Sequence, residues 1–554
     1  MPVVTLQHGR LERLVGKSIG EVLEMLPYIA LDIEEEGSDY VKVEYNPNRP
    51  DFSTDYGIAR ALKGIMGIEL GLPRLNLIDS VTTTTAATTT FTVDPSVKGV
   101  RPYVVALLAL DGRIDSEDLR QLISMQEDLH MGIGRKRRKV SIGLHDYDNV
   151  EGPFYYTTES RDFKFIPLNS SMEMSLQEIL GTDIGSAYGH IIKGYVRYPI
   201  IKDARGHVLS FPPIINAELT RVTERTRNML VEVTATDLKA ANDVLAVIAI
   251  TLSDMGFRIE GITIDDGGST LIPDMGNRIV NLPVDRLNLL GIDISRDEAV
   301  ECLRRSRLEA IIMNDHIKCI VPRYRIDIIH WIDLVEEVAI GYNISRLKPR
   351  YPRLKAMGSR HRMLKVLDHA RDVMVGLGML EVMNFNLVSM DIQYTMVGRS
   401  SDTVLVVEES KSREHEVLRD SLIPSLLDVL SRNVHEPYPQ RLFEIGKVFS
   451  IDANSIKEEW SIASVLAHSS ANYTEARSYL QALLSSLFGI SVDEVKTEPM
   501  DEPPYESGKA AGIFFKGKMI GSIGEVSSNV LSNFRIRVPV SAFEVIISRL
   551  IPKG

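Results

Sequence analysis

Four carboxylates crowd one short stretch of the sequence: Asp327, Asp333, Glu336 and Glu337. If Asp333 opens a helix, Glu336 and Glu337 fall three and four residues on, so the three share a face near its N-terminus. Hard oxygen donors gathered in this way suit magnesium, which binds few carboxylates and keeps several waters. The same spacing also describes a helix-capping aspartate followed by a solvated acidic face. A second polar pattern lies in Leu230-Val-Glu-Val-Thr-Ala-Thr236. Its alternation puts Val231, Val233 and Ala235 on one side of a strand and Glu232, Thr234 and Thr236 on the other. That polar side either lines a pocket or is the outer, watered face of a half-buried strand. A third is the basic run Arg135-Lys-Arg-Arg-Lys139. It could contact phosphates or a partner, or form a solvated turn before a strand at Val140 to Leu144. The Gly132-Ile-Gly134 ahead of it lacks the spacing and the Lys-Ser/Thr ending of a phosphate-binding loop.

The elements that must position these residues read as alternating helices and strands. Residues 1–90 form a first α/β module, in which Val41 to Tyr45 alternates as a strand and Ser53 is placed to cap a helix, with Asp55 in its first turn. The low-complexity run Thr82 to Thr90 marks the first boundary. Residues 91–270 form one α+β domain, with a strand at Tyr103 to Leu110 and a helix from about Leu238 to Met255. Residues 271–350 are expected to be a small, mostly helical module, opened by the capping box Ser295-Arg-Asp-Glu298 and including a helix from about Ile332 to Ile340. A basic linker follows between Arg346 and Lys365, free of acids and broken by Pro349 and Pro352. Residues 351–554 form a last α+β domain, an antiparallel sheet with helices, including a strand from Arg441 to Phe449 and a helix from Tyr473 to Phe488. The fold class is therefore α+β and multidomain.

Length and composition agree. At 554 residues the chain can bury several cores, and 44% hydrophobic with 25% charged residues describes a globular protein. A net charge of −12 argues against nonspecific coating of nucleic acid, which needs a broad basic surface. The two cysteines, Cys302 and Cys319, make neither a disulfide framework nor a zinc ligand set, so a reducing, cytoplasmic setting is expected. The N-terminal residues show no signal peptide, and the run Val244 to Leu252 is too short for a membrane span.

Several strings, taken in order, resemble one family: Asn48-Arg-Pro-Asp51 with Gly57-Ile-Ala-Arg60, Ser210 to Asn216, Arg325-Ile-Asp327 with Ile332 to Glu337, and Leu418 to Pro424 with Leu442 to Gly446. That family is the phenylalanyl-tRNA synthetase beta subunit. Neither an N-terminal oligonucleotide-barrel insertion nor a C-terminal anticodon-binding domain is expected from this sequence, an expectation that points to the archaeal and eukaryotic branch of the family it resembles. The resemblance implies an α2β2 heterotetramer with a catalytic alpha subunit, which charges tRNA(Phe) with phenylalanine using ATP and Mg2+. It implies a magnesium role for Asp327, Asp333, Glu336 and Glu337 in residues 271–350. In residues 91–270 it implies an editing pocket that hydrolyses tyrosyl-tRNA(Phe), with Glu232, Thr234, Ser210 and Asn216 as candidates. It further implies a class II synthetase-like scaffold in residues 351–554 without catalytic residues for aminoacylation. There Arg441 and Glu444 stand in Arg-Leu-Phe-Glu rather than Arg-x-Glu, and Gly521 to Phe534 lacks a Gly-rich arginine motif. Two rival readings are a free-standing aminoacyl-tRNA deacylase and a noncatalytic RNA-binding or assembly protein.

Overall fold

The computed structural model describes the chain except residues 1, 76, 79–88, 269, 292–293, 350, 353–356, 401–403, 453–454 and 552–554. It divides into two compact units, Met1–Tyr351 and Pro352–Gly554. Most of the threonine run thus lies outside the described residues, as do Arg350, Arg353 and Lys355 of the basic stretch; Thr90 opens a strand, Thr90–Val93.

The first unit begins with an antiparallel sheet in which Tyr40–Glu44 is central between Val3–Gln7 and Asp32–Glu36. The helix Asp55–Ile65 packs into the same core. It is capped by Thr54, whose hydroxyl accepts from the Gly57 amide at 3.3 Å. Ser53, the expected cap, instead sits in a preceding 3-10 turn and donates to the Pro50 carbonyl. The turn carries the helix start one residue further along.

Next comes a two-layer sandwich of sheets. A five-stranded sheet runs Leu77–Ile78, Arg258–Gly261, Tyr103–Leu110, Met229–Ala235, Val140–Asp146, and the last of these is an edge strand. One of its faces, with Val105, Leu107, Ile142, Val231 and Val233, packs on the helices Ser116–Met131 and Leu238–Asp254. The other, with Val104, Ala106, Leu108 and Leu230, packs on a seven-stranded sheet through Phe91, Phe154, Tyr156, Ile201 and Leu209. In that second sheet Ile215–Asn216 and Val208–Phe211 form one edge. The Met229–Ala235 strand is therefore buried along its whole length, and neither face meets water. A watered outer face does not exist here, because a second sheet covers it.

The stretch expected to be mostly helical is itself α+β. His316–Val321 is the centre of a three-stranded antiparallel sheet with Arg278–Pro283 and Glu309–Ile312, backed by the helices Arg296–Arg305 and Trp331–Tyr342. Its central strand alternates half-buried and buried residues, as a one-sided sheet requires. The capping box at Ser295 forms as expected.

The second unit is built on a seven-stranded sheet in which all pairings are antiparallel except that between Leu380–Glu381 and Gln440–Asp452. The helices Arg362–Gly376 and Tyr473–Phe488 cover the face bearing Phe443, Ile462 and Phe543. The helix Ile423–Arg432 covers the face bearing Leu442, Val465 and Ala542. No helix among the described residues is long and apolar enough to cross a membrane.

Candidate functional site

The sandwich gathers polar side chains where its two sheets meet. On the Met229–Ala235 strand, Glu232 and Thr234 point toward the second sheet, since Val231 and Val233 face the helices. Register places Gly143 beside Glu232 and Ser141 beside Thr234, on the edge strand Val140–Asp146. His145 shares that face, two residues beyond Gly143. From the opposite sheet Ser210 donates its hydroxyl to Glu232 at 2.9 Å. Asn216, paired with Ser210 in the strand ladder, donates to the Leu144 carbonyl at 3.3 Å and ties the two sheet edges together. Three of the four expected residues are deeply buried, with Glu232 at 2%, Ser210 at 2% and Thr234 at 0% exposure; Asn216 is half-buried.

Glu232 and Ser210 meet directly, but Thr234 does not join them. Its hydroxyl accepts from the Nε of Arg101 at 3.0 Å, and its carbonyl accepts from the same guanidinium at 2.7 Å. Arg101 is fully buried among neutral acceptors, and burial pushes its pKa down to about 10 despite the pull of Tyr156 and Glu232.

Two members of the site are invisible in the sequence. His145 is fully buried, with Nε2 3.7 Å from Glu232 Oε1 and Nδ1 2.8 Å from the Thr220 hydroxyl. Thr220 also lies 3.2 Å from the Ala217 carbonyl and 3.4 Å from the Leu209 carbonyl. At 3.7 Å Nε2 is beyond hydrogen-bond reach of Glu232. Both Nε2 and Glu232 Oε2 are buried without a partner. The carboxylate oxygen is an acceptor, and left bare it favours a group that donates, such as a hydroxyl or a water. The second missed member is Gly143, where a Cβ would collide with both Glu232 Oε1 and His145 Nε2. Glycine is what lets the two side chains converge.

The carboxylate cluster is arranged differently from expectation. Arg325, buried at 1%, reaches Asp327 with Nε at 3.0 Å and a terminal nitrogen at 2.7 Å, and also pairs with Glu337. Burial works against its charge, but Glu337 and Asp327 hold its pKa well above the ordinary value. Asp333 accepts from the amides of Ile329 and His330, each at 2.7 Å, at the start of the helix Trp331–Tyr342. Glu336 is the exposed member, and burial together with Glu337, Asp333 and Asp327 raises its pKa. Among the described residues no group of three His, Cys, Asp or Glu is placed to hold a metal. As folded, Arg325 engages Asp327 and one oxygen of Glu337, the helix start engages one oxygen of Asp333, and Glu336 has no such pairing.

In the second unit Glu444 pairs with Arg419 at 2.6 Å, both buried, and accepts from Asn384 Nδ2 at 2.7 Å. Arg441 and Glu444 are three residues apart in one strand, so they project from opposite faces. Arg441 lies toward the helix side, 3.9 Å from Glu475.

Family models match residues 97–247 as a B3/4 domain, 280–344 as a tRNA synthetase B5 domain and 347–547 as the phenylalanyl tRNA synthetase beta chain CLM domain. The phenylalanine–tRNA ligase beta subunit of Archaeoglobus fulgidus is 38% identical over 560 residues, covering 100% of both chains. That of Methanocaldococcus jannaschii is 36% identical, covering 98% of this chain and 100% of its own. The crystal structure of an N-terminal fragment of the phenylalanyl-tRNA synthetase beta-subunit from Pyrococcus horikoshii superposes with a TM-score of 0.58 at 34% identity, covering 62% of this chain and 99% of the fragment. The chain belongs to the phenylalanine–tRNA ligase beta subunit family.

Proposed function

We propose that the chain works in the cytosol as the beta subunit of an α2β2 phenylalanine–tRNA ligase, supporting ATP-dependent charging of tRNA(Phe) by a catalytic alpha subunit and hydrolysing mischarged tyrosyl-tRNA(Phe) between its own two sheets. The observation that carries the editing reading is the pair of partnerless buried polar atoms, Glu232 Oε2 and His145 Nε2. A tyrosine phenol donates to a carboxylate oxygen such as Oε2; a phenylalanine ring leaves it bare, which costs binding. An apolar synthetic pocket rejects an added hydroxyl only about a hundredfold, so a second site that reads the hydroxyl adds fidelity. In this scheme Glu232 accepts the hydrogen bond of the phenol and Ser210, donating to Glu232, holds the carboxyl group in place, while Thr234 stays with Arg101. Positioning supplies much of the rate.

An exposed apolar group in the second unit, Leu380, Met383 and Phe385, favours a subunit whose scaffold meets a protein partner over a free-standing deacylase. Magnesium and ATP belong to the assembled enzyme. Magnesium near Asp327, Asp333, Glu336 and Glu337 would be held by Glu336, by the oxygens of Asp333 and Glu337 that the amides and Arg325 leave over, and by its own waters, and no editing step passes through it.

The test is Glu232→Ala in the assembled enzyme. Deacylation of tyrosyl-tRNA(Phe) is expected to fall about ten- to a hundredfold, the value of a hydrogen bond to a charged group of roughly 1.5–3 kcal/mol. Phenylalanine charging is expected to be unchanged. Unaltered deacylation would return Glu232 to a packing role, and equal loss of both activities would indicate misfolding.

A further inference from the structure

The basic run Arg135 to Lys139 is not a solvated turn of arbitrary shape. Arg135, Lys136 and Arg137 follow one another at φ 48°, 55° and 64°, three successive non-glycine residues in the left-handed region. Such residues persist only where their surroundings fix them. Two buried arginines do so. Arg101 donates to the carbonyls of Arg137 and Arg138 at 3.2 and 3.1 Å while its other nitrogens hold Thr234. Arg137 turns inward, donates to the Ile214 carbonyl at 2.9 Å and to Glu127 at 2.7 Å, and lies over the Tyr188 ring at 4.2 Å. The run is thereby fastened to the Glu232 strand on one side. On the other it is fastened to the segment between Ser210 and Asn216.

Within this clamped loop the five cations divide by role. Arg137 is spent on structure, and Lys139 pairs with Asp237 at 3.0 Å. Arg135, Lys136 and Arg138 point into solvent, and among the described residues none of them has an ion-pair partner. Three uncompensated cations on a rigid loop are out of keeping with a chain of net charge −12. They give the protein a local positive patch beside the candidate editing pocket.

We propose that Arg135, Lys136 and Arg138 grip phosphates of the RNA strand whose aminoacylated 3′ end enters the Glu232 pocket. The proposal rests on the editing reading, in which the ester to be cleaved is attached to a polyanion. The loop's anchors flank the pocket, so a phosphate held there fixes how far the strand reaches.

The test replaces the three exposed cations together, Arg135→Gln, Lys136→Gln and Arg138→Gln, in the enzyme assembled with its alpha subunit. For deacylation of tyrosyl-tRNA(Phe), KM is expected to rise about tenfold with kcat unchanged. The dependence of log(kcat/KM) on log salt is expected to flatten by about two, since each single-strand phosphate contact contributes about 0.7. In parallel, anisotropy measures binding of a labelled, uncharged acceptor-stem hairpin with a single-stranded 3′ tail, where the same flattening is expected. This second measurement needs no hydrolysis, so it reports on the loop even if the wild-type enzyme does not edit. Unchanged hairpin affinity and salt slope would overturn the proposal. Normal RNA binding with weakened assembly would overturn it in favour of a protein-docking surface.

Discussion

Gly143 is where the chemistry of the site rests on the absence of an atom. Its missing Cβ leaves the space in which Glu232 and His145 converge, and both are buried with little room to retreat. Gly143→Ala is expected to drive them apart, destabilising the first unit by about 1–3 kcal/mol, as overpacking does. Tyrosyl-tRNA(Phe) deacylation should drop at least tenfold, with phenylalanine charging retained. Wild-type deacylation rates in this variant would show that the convergence is incidental. Residue by residue, the sequence made part of this visible. Strict alternation marked Glu232 and Thr234 as sharing a face, and Ser210 lies against Glu232. Nothing in the spacing could join His145 to Glu232, because their contact depends on strand register between segments far apart in the chain. Nor could spacing show that Arg101 would claim Thr234, or that Arg325 would neutralise Asp327 and Glu337.

Among the elements, those with a strong period or a cap were legible. The helix expected from about Leu238 to Met255 spans Leu238–Asp254, and the strand expected from Tyr103 to Leu110 has those bounds. The three-stranded sheet was missed because its strands are short and two of them carry weak alternation, with exposed Ile279, Ile311 and Ile312 breaking the pattern. The helix Trp331–Tyr342 shows how one element can carry opposing demands. Its first turn sets Asp333 to accept from the His330 amide in a capping box, which favours negative charge there, yet one turn on partial burial and the carboxylates of Glu337, Asp333 and Asp327 disfavour the charge of Glu336. Removing the Glu336 charge should therefore raise the melting temperature of EDTA-treated protein. Glu336→Gln should also lose any increment of stability that magnesium gives the wild type. If the variant melts lower in EDTA, Glu336 has a stabilising partner and the repulsion argument fails; if magnesium still stabilises it equally, the ion sits elsewhere.

At the scale of the whole molecule, the question is which part of the chain could activate an amino acid, and the second unit's sheet supplies the answer. Adenylate formation needs cations free to meet ATP phosphates. On the Glu444 face the guanidiniums are already committed. Arg419 is buried against Glu444, and Arg399 holds Asp420 through two nitrogens at 2.8 and 2.7 Å. Glu544, buried, accepts from Ser421 at 2.6 Å and Ser461 at 2.9 Å, and burial raises its pKa. A Cβ at Gly446 would run into the Arg419 guanidinium, so that glycine is fitted to the arginine's present place. Arg441 cannot substitute, because odd spacing along the strand turns it to the helix side. Freeing Arg419 for a triphosphate would mean breaking its buried ion pair and leaving Glu444 unpaired, at a cost of about 3–5 kcal/mol, and Arg399 would have to leave a half-buried Asp420. The purified chain without its alpha subunit is therefore expected to show background ATP–pyrophosphate exchange with phenylalanine present, while the reconstituted complex exchanges in a phenylalanine-dependent way. Sustained phenylalanine-dependent exchange by the chain alone, surviving a further purification step that removes any trace of alpha subunit, would mean that this face opens in solution and that the Arg419 and Glu444 pair is a latch rather than a fixed filling.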